Sequence, residues 1–285
     1  VTTVIEKKPN NEILAIAQNI VSGEASSEAL SHGELLFSAT LTPDLEEKAA
    51  IYGAAVKWGG TWKAHNDFGM IHIRIAQEEE QGSEAQLKLL EDAETQLNIS
   101  LNKEENIEAY MNLASLSALK YDFNTASEYL KKAENIGTDV SIVQNILYNS
   151  QGAISIALGD HEAALKYLNM VEIKGEGQMK NWNTWIKVWS LWRTSVAHLV
   201  LGDSNSARKA LDMIASNRPD NASSPIPGDW YYLVAICDAR DGNSQAVTDN
   251  LRKAFAGESD YDLKSKAALD VEFLNYSDAV KAAMN

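Results

Sequence analysis

Apolar residues recur at helical spacing along most of the chain, and no stretch alternates in the manner of a β-strand. Four segments share one order: a turn, an alanine or valine, an apolar residue four positions on, and another three later. They read YDFNTASEYLKKA (121–133), GDHEAALKYLNMV (159–171), GDSNSARKALDMI (202–214) and GNSQAVTDNLRKA (242–254). The alanine or valine anchors are Ala126, Ala164, Ala207 and Val247, at periods of 38, 43 and 40 residues. This pattern predicts an all-α fold built from a repeated unit.

A second apolar-periodic segment precedes each turn, which makes the repeated unit a pair of helices. A small residue stands twelve positions before each anchor: Ala114, Gly152, Ser195 and Ala235. A large residue stands four positions earlier: Tyr110, Tyr148, Leu191 and Tyr231. Small residues let two helices approach closely, and the large residue fills the space between repeats. The Gly-Asp and Gly-Asn turns predict a left-handed stop for the first helix and an N-cap for the second.

The order large, small, turn, alanine, apolar, alanine resembles the tetratricopeptide repeat (TPR). The usual TPR period is about 34 residues, so the longer periods here imply extended loops, for which 170–181 and 216–230 are the natural sites. A less regular copy lies at 63–93, with Gly69 at the small position and Ala85 as the anchor. These two residues are 16 apart, so one extra helical turn is expected. The resemblance covers residues 61–256.

The ends of the chain predict further helices around the repeats. Helices are expected at 10–23, 26–41 and 42–59, the last with Thr42 as N-cap and Pro43 at its first position. The segment 261–285 predicts one or two capping helices. The predicted fold is therefore all-α, a right-handed α-α superhelix (TPR-like solenoid) with helical N- and C-terminal caps. Its parts are a helical prelude at 1–60, about five repeats at 61–256, and capping helices at 257–285.

The order of segments also resembles TPR proteins of Gram-negative envelopes. The residues that carry this resemblance read ELLFSATLTPDLEEKAAIY, AHNDFGMI, LVAICDARDGNSQAVTDNLRKAF and KSKAALDVEFLNY. The resemblance implies a location in the bacterial cell envelope, in the periplasm or at the outer membrane, with the cytoplasm as the alternative. The first residues lack an initiator methionine and the apolar core of a signal peptide. We therefore expect a mature form or a fragment of a larger protein.

The composition narrows the class of partner. The net charge of −15 disfavours nucleic acid and anionic lipid surfaces as partners. Cys237 is the sole cysteine, so an intramolecular disulfide is impossible. No apolar run is long enough to predict a transmembrane span.

Residues that could carry catalysis do not converge in the sequence. The five histidines have no metal-ligand spacing: His32, His65, His72, His161 and His198. Nucleophile motifs and phosphate-binding loops are also missing from the sequence. The sequence therefore predicts a non-enzymatic protein without a cofactor or a metal.

The TPR resemblance implies that the first helix of each repeat lines a concave groove. Mapped onto this chain, the partner-binding residues are Lys63, Asn66, Met70, Arg74, Asn112, Asn149, Trp189, Trp192, Arg193, Tyr232 and Arg240. The amides of Asn66, Asn112 and Asn149 could hydrogen-bond the backbone of an extended peptide. Equally, asparagine could simply be tolerated on a wet surface, and the sequence leaves both interpretations open.

Four of the seven tryptophans fall in NWNTWIKVWSLWR (181–193), at positions 182, 185, 189 and 192. This spacing places the four indoles on one stripe of a helix. Such a stripe is covered either by another part of the chain or by a partner. The function that we expect is a scaffold that binds a peptide or protein partner in the groove. The alternative is an envelope protein that binds a carbohydrate or another small molecule, with the indoles as a platform.

Overall fold

The computed structural model describes residues 10–23, 32–217, 228–259 and 262–284. Within these ranges the chain forms helices joined by turns and loops, without a β-strand, so the predicted all-α fold is confirmed. The chain divides into two compact units, residues 1–137 and 138–285. This boundary falls within the predicted run of repeats, and the division into prelude, repeats and cap stays a prediction. What the sequence predicts for residues 1–9, 24–31, 218–227, 260–261 and 285 lies outside the described residues.

The first unit contains seven described helices that pack in sequence order. They are α1 (Asn10–Ser22), α2 (His32–Leu41), α3 (Leu45–Trp58), α4 (Trp62–Glu78), α5 (Glu84–Lys103), α6 (Ile107–Leu119) and α7 (Phe123–Ile136). One apolar core joins α1 to α4, and a second joins α4 to α7. The pairs α4–α5 and α6–α7 are the first two repeats.

The second unit contains three repeats followed by a short C-terminal segment. Its helices are α8 (Ser141–Ala157), α9 (His161–Asn169), α10 (Gly177–Val200), α11 (Ser204–Ser216), α12 (Gly228–Arg240), α13 (Ser244–Ala256), α14 (Leu263–Leu269), a 3₁₀ helix (Val271–Tyr276) and α15 (Ser277–Met284). The pairs α8–α9, α10–α11 and α12–α13 are the repeats. Apolar residues of α10–α13 share a core with α14, the 3₁₀ helix and α15.

The predicted turn chemistry is confirmed in the four regular repeats. The side chains of Asp122, Asp160, Asp203 and Asn243 each accept a hydrogen bond, of 2.9 to 3.1 Å, from the backbone N–H three residues on. These bonds satisfy N–H groups that the start of a helix leaves without partners. A left-handed residue precedes each cap, glycine in three turns but Tyr121, at φ 58°, in the first.

The predicted close approach of paired helices is also confirmed. All four anchors, Ala126, Ala164, Ala207 and Val247, are fully buried. A Cβ atom built on Gly152 of α8 would lie 2.5 Å from Cγ of Leu168 on α9. Only glycine fits there without displacing the leucine, because real Cβ contacts are longer.

The upstream repeat departs from the prediction, since Ala85 is exposed and is not the anchor. Fully buried Ala93 and Leu97 take the packing positions instead. A Cβ atom on Gly69 would lie 2.8 Å from Cγ of Leu97 and 3.1 Å from the carbonyl oxygen of Ala93. The reason is that α4 and α5 both continue well past the crossing point, so their close contact lies further along α5 than a single extra turn allows.

The start of α3 also differs from the prediction of Thr42 as N-cap and Pro43 as the first helical residue. Asp44 is the N-cap, and its Oδ1 accepts a 2.9 Å hydrogen bond from the N–H of Glu47. The hydroxyl of Thr42 instead donates a 3.0 Å bond to the carbonyl oxygen of Ser38 in α2. Thr42 therefore belongs to the end of the preceding helix.

Candidate partner-binding surface

The tryptophan stripe of α10 is largely exposed. Trp182, Trp185 and Trp189 are 53%, 40% and 56% exposed, whereas Trp192 is partly buried and packs against the core of the second unit. The stripe therefore divides into three open indoles and one packed indole. We call the surface formed by Trp182, Trp185, Trp189 and Arg193 of α10, together with Ile146 and Asn149 of α8, the tryptophan face.

Buried polar residues hold the N-terminal half of α10 in place. Asn183 is fully buried, and its Nδ2 donates a 2.9 Å hydrogen bond to the carbonyl oxygen of Lys174. Its Oδ1 accepts a 2.8 Å bond from Nδ2 of Asn145 on α8. Asn145 also bonds both the N–H and the carbonyl oxygen of Glu172. These bonds pin the loop between α9 and α10, which is the insertion that lengthens this repeat to a period of 43 residues.

Two further contacts fix the same side of α10 one turn later. Nζ of Lys187 donates to the carbonyl oxygen of Val171 at 2.8 Å, and the hydroxyl of Ser190 donates to that of Leu168, also at 2.8 Å. Burial lowers the pKa of Lys187. Because Asn183, Lys187 and Ser190 all bond toward α8, α9 and the loop, the opposite side of the helix carries the indoles into solvent.

Arg193 completes the tryptophan face at its C-terminal end. Its guanidinium carbon lies 5.8 Å from the ring centroid of Trp189, within range of a cation–π contact. Its Nη1 donates to Oδ1 of Asn149 at 3.2 Å and to the carbonyl oxygen of Trp189 at 3.4 Å. Burial lowers the pKa of this guanidinium. Arg193 thus joins α8 to α10 while it keeps part of its surface in solvent.

The first helix of the neighbouring repeat extends the apolar surface. Ile146 of α8 is 39% exposed and aligns with Trp189 when the two repeats are superposed on their anchors, 43 residues apart. The contact between Arg193 and Asn149 shows that these parts of α8 and α10 lie side by side. Sequence reasoning missed Ile146, although the repeat register from Trp189 would have pointed to it.

The electrostatics of this surface differ from those of the protein as a whole. Neither α8 nor α10 contains an aspartate or glutamate, and α10 carries Lys180, Lys187 and Arg193. The whole chain has a net charge of −15. Of these three cations only Arg193 belongs to the tryptophan face, so the face is an apolar surface with one positive charge in an acidic protein.

Three predicted site residues of the first unit, Lys63, Asn66 and Asn112, belong to a separate polar network. Nδ2 of Asn112 donates to Oδ1 of Asn66 at 2.9 Å, and Nδ2 of Asn66 donates to Asp67 and Glu108, both at 3.1 Å. Lys63 bonds the same two carboxylates, Asp67 at 2.9 Å and Glu108 at 2.6 Å. The network joins α4 to α6, and it uses both amide hydrogens and the oxygen of Asn66.

Burial perturbs the titratable groups of this network. It raises the pKa of Asp67 despite the adjacent Lys63. Burial and the Asp67 carboxylate also raise the pKa of Tyr52, which places a hydroxyl of α3 in the network. Burial lowers the pKa of Lys63 and the two carboxylates raise it; the carboxylates outweigh burial, so the pKa is raised. The polar groups of this network therefore satisfy one another's hydrogen-bonding capacity, as in a network that stabilises the fold.

Met70 and Arg74, the other predicted residues of the first unit, stand apart from this network. Met70 is half-buried and packs against the core of α1–α4. Arg74 is exposed near the end of α4. Neither residue contacts the amides of Asn66 and Asn112 through a described hydrogen bond.

Tyr232 and Arg240 of α12 face the C-terminal segment. Tyr232 is 1% exposed, its hydroxyl donates to Oδ2 of Asp270 at 2.8 Å, and its ring packs edge-on against Phe273. Arg240 forms an ion pair with Glu272 and donates to the carbonyl oxygen of Leu199 at 2.7 Å. The structure thus brings Asn149, Trp189 and Arg193 together on an open surface, but it places Tyr232 and Arg240 against the end of the chain.

Among the described residues, no group of three or more His, Cys, Asp or Glu side chains is arranged to hold a metal ion. Of the helices in the same ranges, none combines the length and the apolar character needed to cross a membrane.

Paired helices, capped turns and small residues at the crossing points define a TPR-like α-α solenoid fold. No protein-family model and no curated protein matches the sequence. Solved structures do match, and PilF from Pseudomonas aeruginosa gives a TM-score of 0.57 at 11% identity, over 95% of this chain and 99% of that chain. This likeness shows the fold, and the predicted TPR-like architecture is confirmed.

Two other solved structures give weaker likenesses. A tetratricopeptide repeat protein from Parabacteroides merdae has a TM-score of 0.46 at 12% identity, over 89% of this chain and 99% of that chain. The RpL4 assembly chaperone Acl4 has a TM-score of 0.44 at 14% identity, over 90% of this chain and 97% of that chain. At these scores, nothing further about the present chain follows from either.

Proposed function

We propose that this protein is a non-enzymatic scaffold that binds a peptide or protein partner on the tryptophan face. The observation that carries the proposal is the exposure of Trp182, Trp185 and Trp189 on one stripe of α10. Tryptophan is enriched where proteins bind one another, because it offers a large contact area with few rotatable bonds. The TPR-like fold supports the same function, since helical solenoids present extended binding surfaces.

The size of the exposed surface supports a partner. Together the three indoles expose on the order of 350 Å², at about 250 Å² per tryptophan side chain. This is comparable with the largest apolar patch of a typical monomer, about 300–600 Å², which is often functional. Covering all of it would contribute at most about 9 kcal/mol, at about 25 cal/mol per Å².

Selection of random 16-residue peptides displayed on phage tests the proposal. We expect the wild-type protein to enrich a family of sequences and the combined variant Trp182→Ala, Trp185→Ala, Trp189→Ala to lose that enrichment. Met213→Ala is the matched control, because Met213 is a large apolar residue of the same unit that is 45% exposed on α11. Urea unfolding of each variant establishes that it is folded. Selected peptides that bind the triple variant as tightly as the wild type would refute the proposal.

A carbohydrate platform is the second candidate function, and the exposed indoles favour it as well, because aromatic faces stack on sugars. Titration of the intrinsic tryptophan fluorescence with a panel of glycans separates the two. A saturable change that the triple variant lacks would support the carbohydrate function. If no glycan produces such a change, the carbohydrate function is refuted and the scaffold function remains.

The proposed location of the scaffold is the bacterial cell envelope. It rests on the resemblance of the segment order to envelope TPR proteins, described above, and on no feature of the surface. Fractionation of the native host, followed by immunoblotting against this chain, tests it. Recovery of the protein only with the cytoplasmic fraction would overturn this part of the proposal.

A further inference from the structure

Arg193 is a partly buried arginine without a carboxylate partner. Among the described residues, no aspartate or glutamate forms an ion pair with it, and its hydrogen bonds all go to neutral oxygens through Nη1. The half-buried arginines of the same unit are paired: Arg208 with Asp238 and Asp241, and Arg240 with Glu272. A guanidinium has five N–H donors in a fork that matches a carboxylate. Arg193 therefore keeps donors available for an anion.

The surroundings of Arg193 favour an anionic group from outside the helices that hold it. Because α8 and α10 lack acidic residues, neither helix can supply the carboxylate. Covering the three indoles contributes at most about 9 kcal/mol, and association costs about 4–15 kcal/mol in lost freedom of motion, so a further contact beside the indoles would strengthen binding. A charge-assisted hydrogen bond at the edge of the indoles would add both affinity and register.

The N–H groups of an extended peptide backbone would find few free amide oxygens on this surface. The Oδ1 atom of Asn149 accepts a bond from Arg193, and the buried amides of Asn145 and Asn183 bond each other and the loop backbone. A partner whose backbone is already internally bonded avoids this deficit, and a helix is such a partner.

The spacing of the tryptophans also suits a helix. Trp182, Trp185 and Trp189 follow one another at intervals of three and four residues, which is the spacing of the seam between two packed helices. From Trp182 to Arg193 the stripe extends about 16 Å, at about 1.5 Å per residue. Three helical turns of a partner would cover this distance.

We infer that the tryptophan face binds an amphipathic α-helix of a protein partner, whose large apolar side chains cover Trp182, Trp185 and Trp189 and whose carboxylate side chain pairs with Arg193. This inference rests on the proposed function and specifies the chemistry of the partner. The indoles provide most of the binding affinity, and the guanidinium fixes the position of the partner helix along the face.

A double-mutant cycle tests the pairing. The probe is the dominant peptide from the phage selection described above, synthesised as selected and with each of its Asp and Glu residues replaced in turn by Asn or Gln. We expect one such replacement to weaken binding to the wild-type protein by about 10- to 100-fold, as for the loss of a hydrogen bond between charged groups. The same replacement should change binding to Arg193→Gln by less than about twofold. Circular dichroism should show that the bound peptide is helical.

Lys209→Gln is the control for loss of one positive charge, because Lys209 is exposed on α11 of the same unit. It should leave the effect of the acidic residue unchanged. The effect of replacing the peptide's carboxylate on wild-type binding does not depend on whether Arg193→Gln folds, so the requirement for an acidic residue is tested even without that variant.

Three results would overturn the inference while leaving the proposed function in place: selected peptides without an acidic residue, an acidic residue whose effect persists in Arg193→Gln, or a bound peptide that is extended. Concentration-dependent dimerisation in analytical ultracentrifugation that the triple tryptophan variant loses would assign the face to a second copy of this chain, and would also overturn the inference. The absence of any enrichment that depends on the tryptophans, by contrast, refutes the proposed function itself.

Discussion

Replacing Asn183 by alanine removes the centre of the polar network that supports the tryptophan face. Three hydrogen bonds are lost: from Asn145 at 2.8 Å, to Lys174 at 2.9 Å and to Ser141 at 3.2 Å. Nδ2 of Asn145 keeps its second bond, to the carbonyl oxygen of Glu172, so part of the network survives. The main cost is the carbonyl oxygen of Lys174, left without its partner next to a small cavity. One buried polar group left unsatisfied costs about 1–3 kcal/mol, and we expect the free energy of unfolding to fall by about 2–3 kcal/mol.

Urea unfolding monitored by tryptophan fluorescence measures this change, because four indoles lie on the affected helix. Asn181→Ala is the matched control: Asn181 lies two residues away on α10, is exposed, and should change the unfolding free energy by less than about 0.5 kcal/mol. Indistinguishable midpoints and slopes for the two variants would contradict the assignment of Asn183 as the support of the loop. In that case the position of the tryptophans depends on the apolar contacts of α10 alone.

Three further outcomes follow from the repeat geometry. Tyr121→Gly should raise the free energy of unfolding by about 0.5–1 kcal/mol, because the left-handed φ of 58° strains any residue with a Cβ atom; a loss in urea unfolding would contradict this. Gly152→Ala should cost about 1–3 kcal/mol, since its Cβ atom would lie 2.5 Å from Leu168, and a thermal melting temperature equal to the wild type would refute that contact. A hydrogen bond from Ser206 lowers the pKa of Asp203 in the folded protein. The stability that the ionised Asp203 cap contributes is therefore complete above the pKa of aspartate in the unfolded chain, near 4, and is lost as the pH falls through the lower pKa of the folded protein. When the pH is lowered below about 4, the free energy of unfolding of Asp203→Asn should therefore fall less than that of the wild type. Equal decreases for the two proteins would exclude a role for the Asp203 cap.

The repeat units could be predicted because their signals are local. A Gly-Asp turn specifies a left-handed residue and an N-cap within four positions of the chain, and Asp160 caps α9 as expected. The errors arose where the local signal was ambiguous. Thr42 and Asp44 are both good N-cap residues, and the choice depends on the end of α2, to which the Thr42 hydroxyl bonds. Ala85 fits the anchor pattern, but the lengths of α4 and α5 move the close contact to Ala93.

The candidate site was less predictable, because its contacts join residues far apart in sequence. The amide of Asn112 bonds that of Asn66, 46 residues away, so these side chains satisfy each other. Sequence reasoning placed both amides on one surface but could not show that they would consume each other's hydrogen-bonding capacity. The burial of Tyr232 under Phe273 likewise depends on where the C-terminal segment lies.

The tryptophan face is informative because part of α10 exposes large apolar side chains while the helix buries polar ones. An amphipathic helix normally buries its apolar stripe and exposes polar residues. Helix α10 instead buries Asn183, Ser190 and Ser195 completely, while Trp182 and Trp189 are more than half exposed. The buried polar side chains find hydrogen-bond partners, so the packing of α10 does not depend on the three exposed indoles. Among the described residues nothing covers the exposed surface of these three large apolar side chains, and no carboxylate pairs with Arg193 beside them, which is why we propose that a partner supplies both.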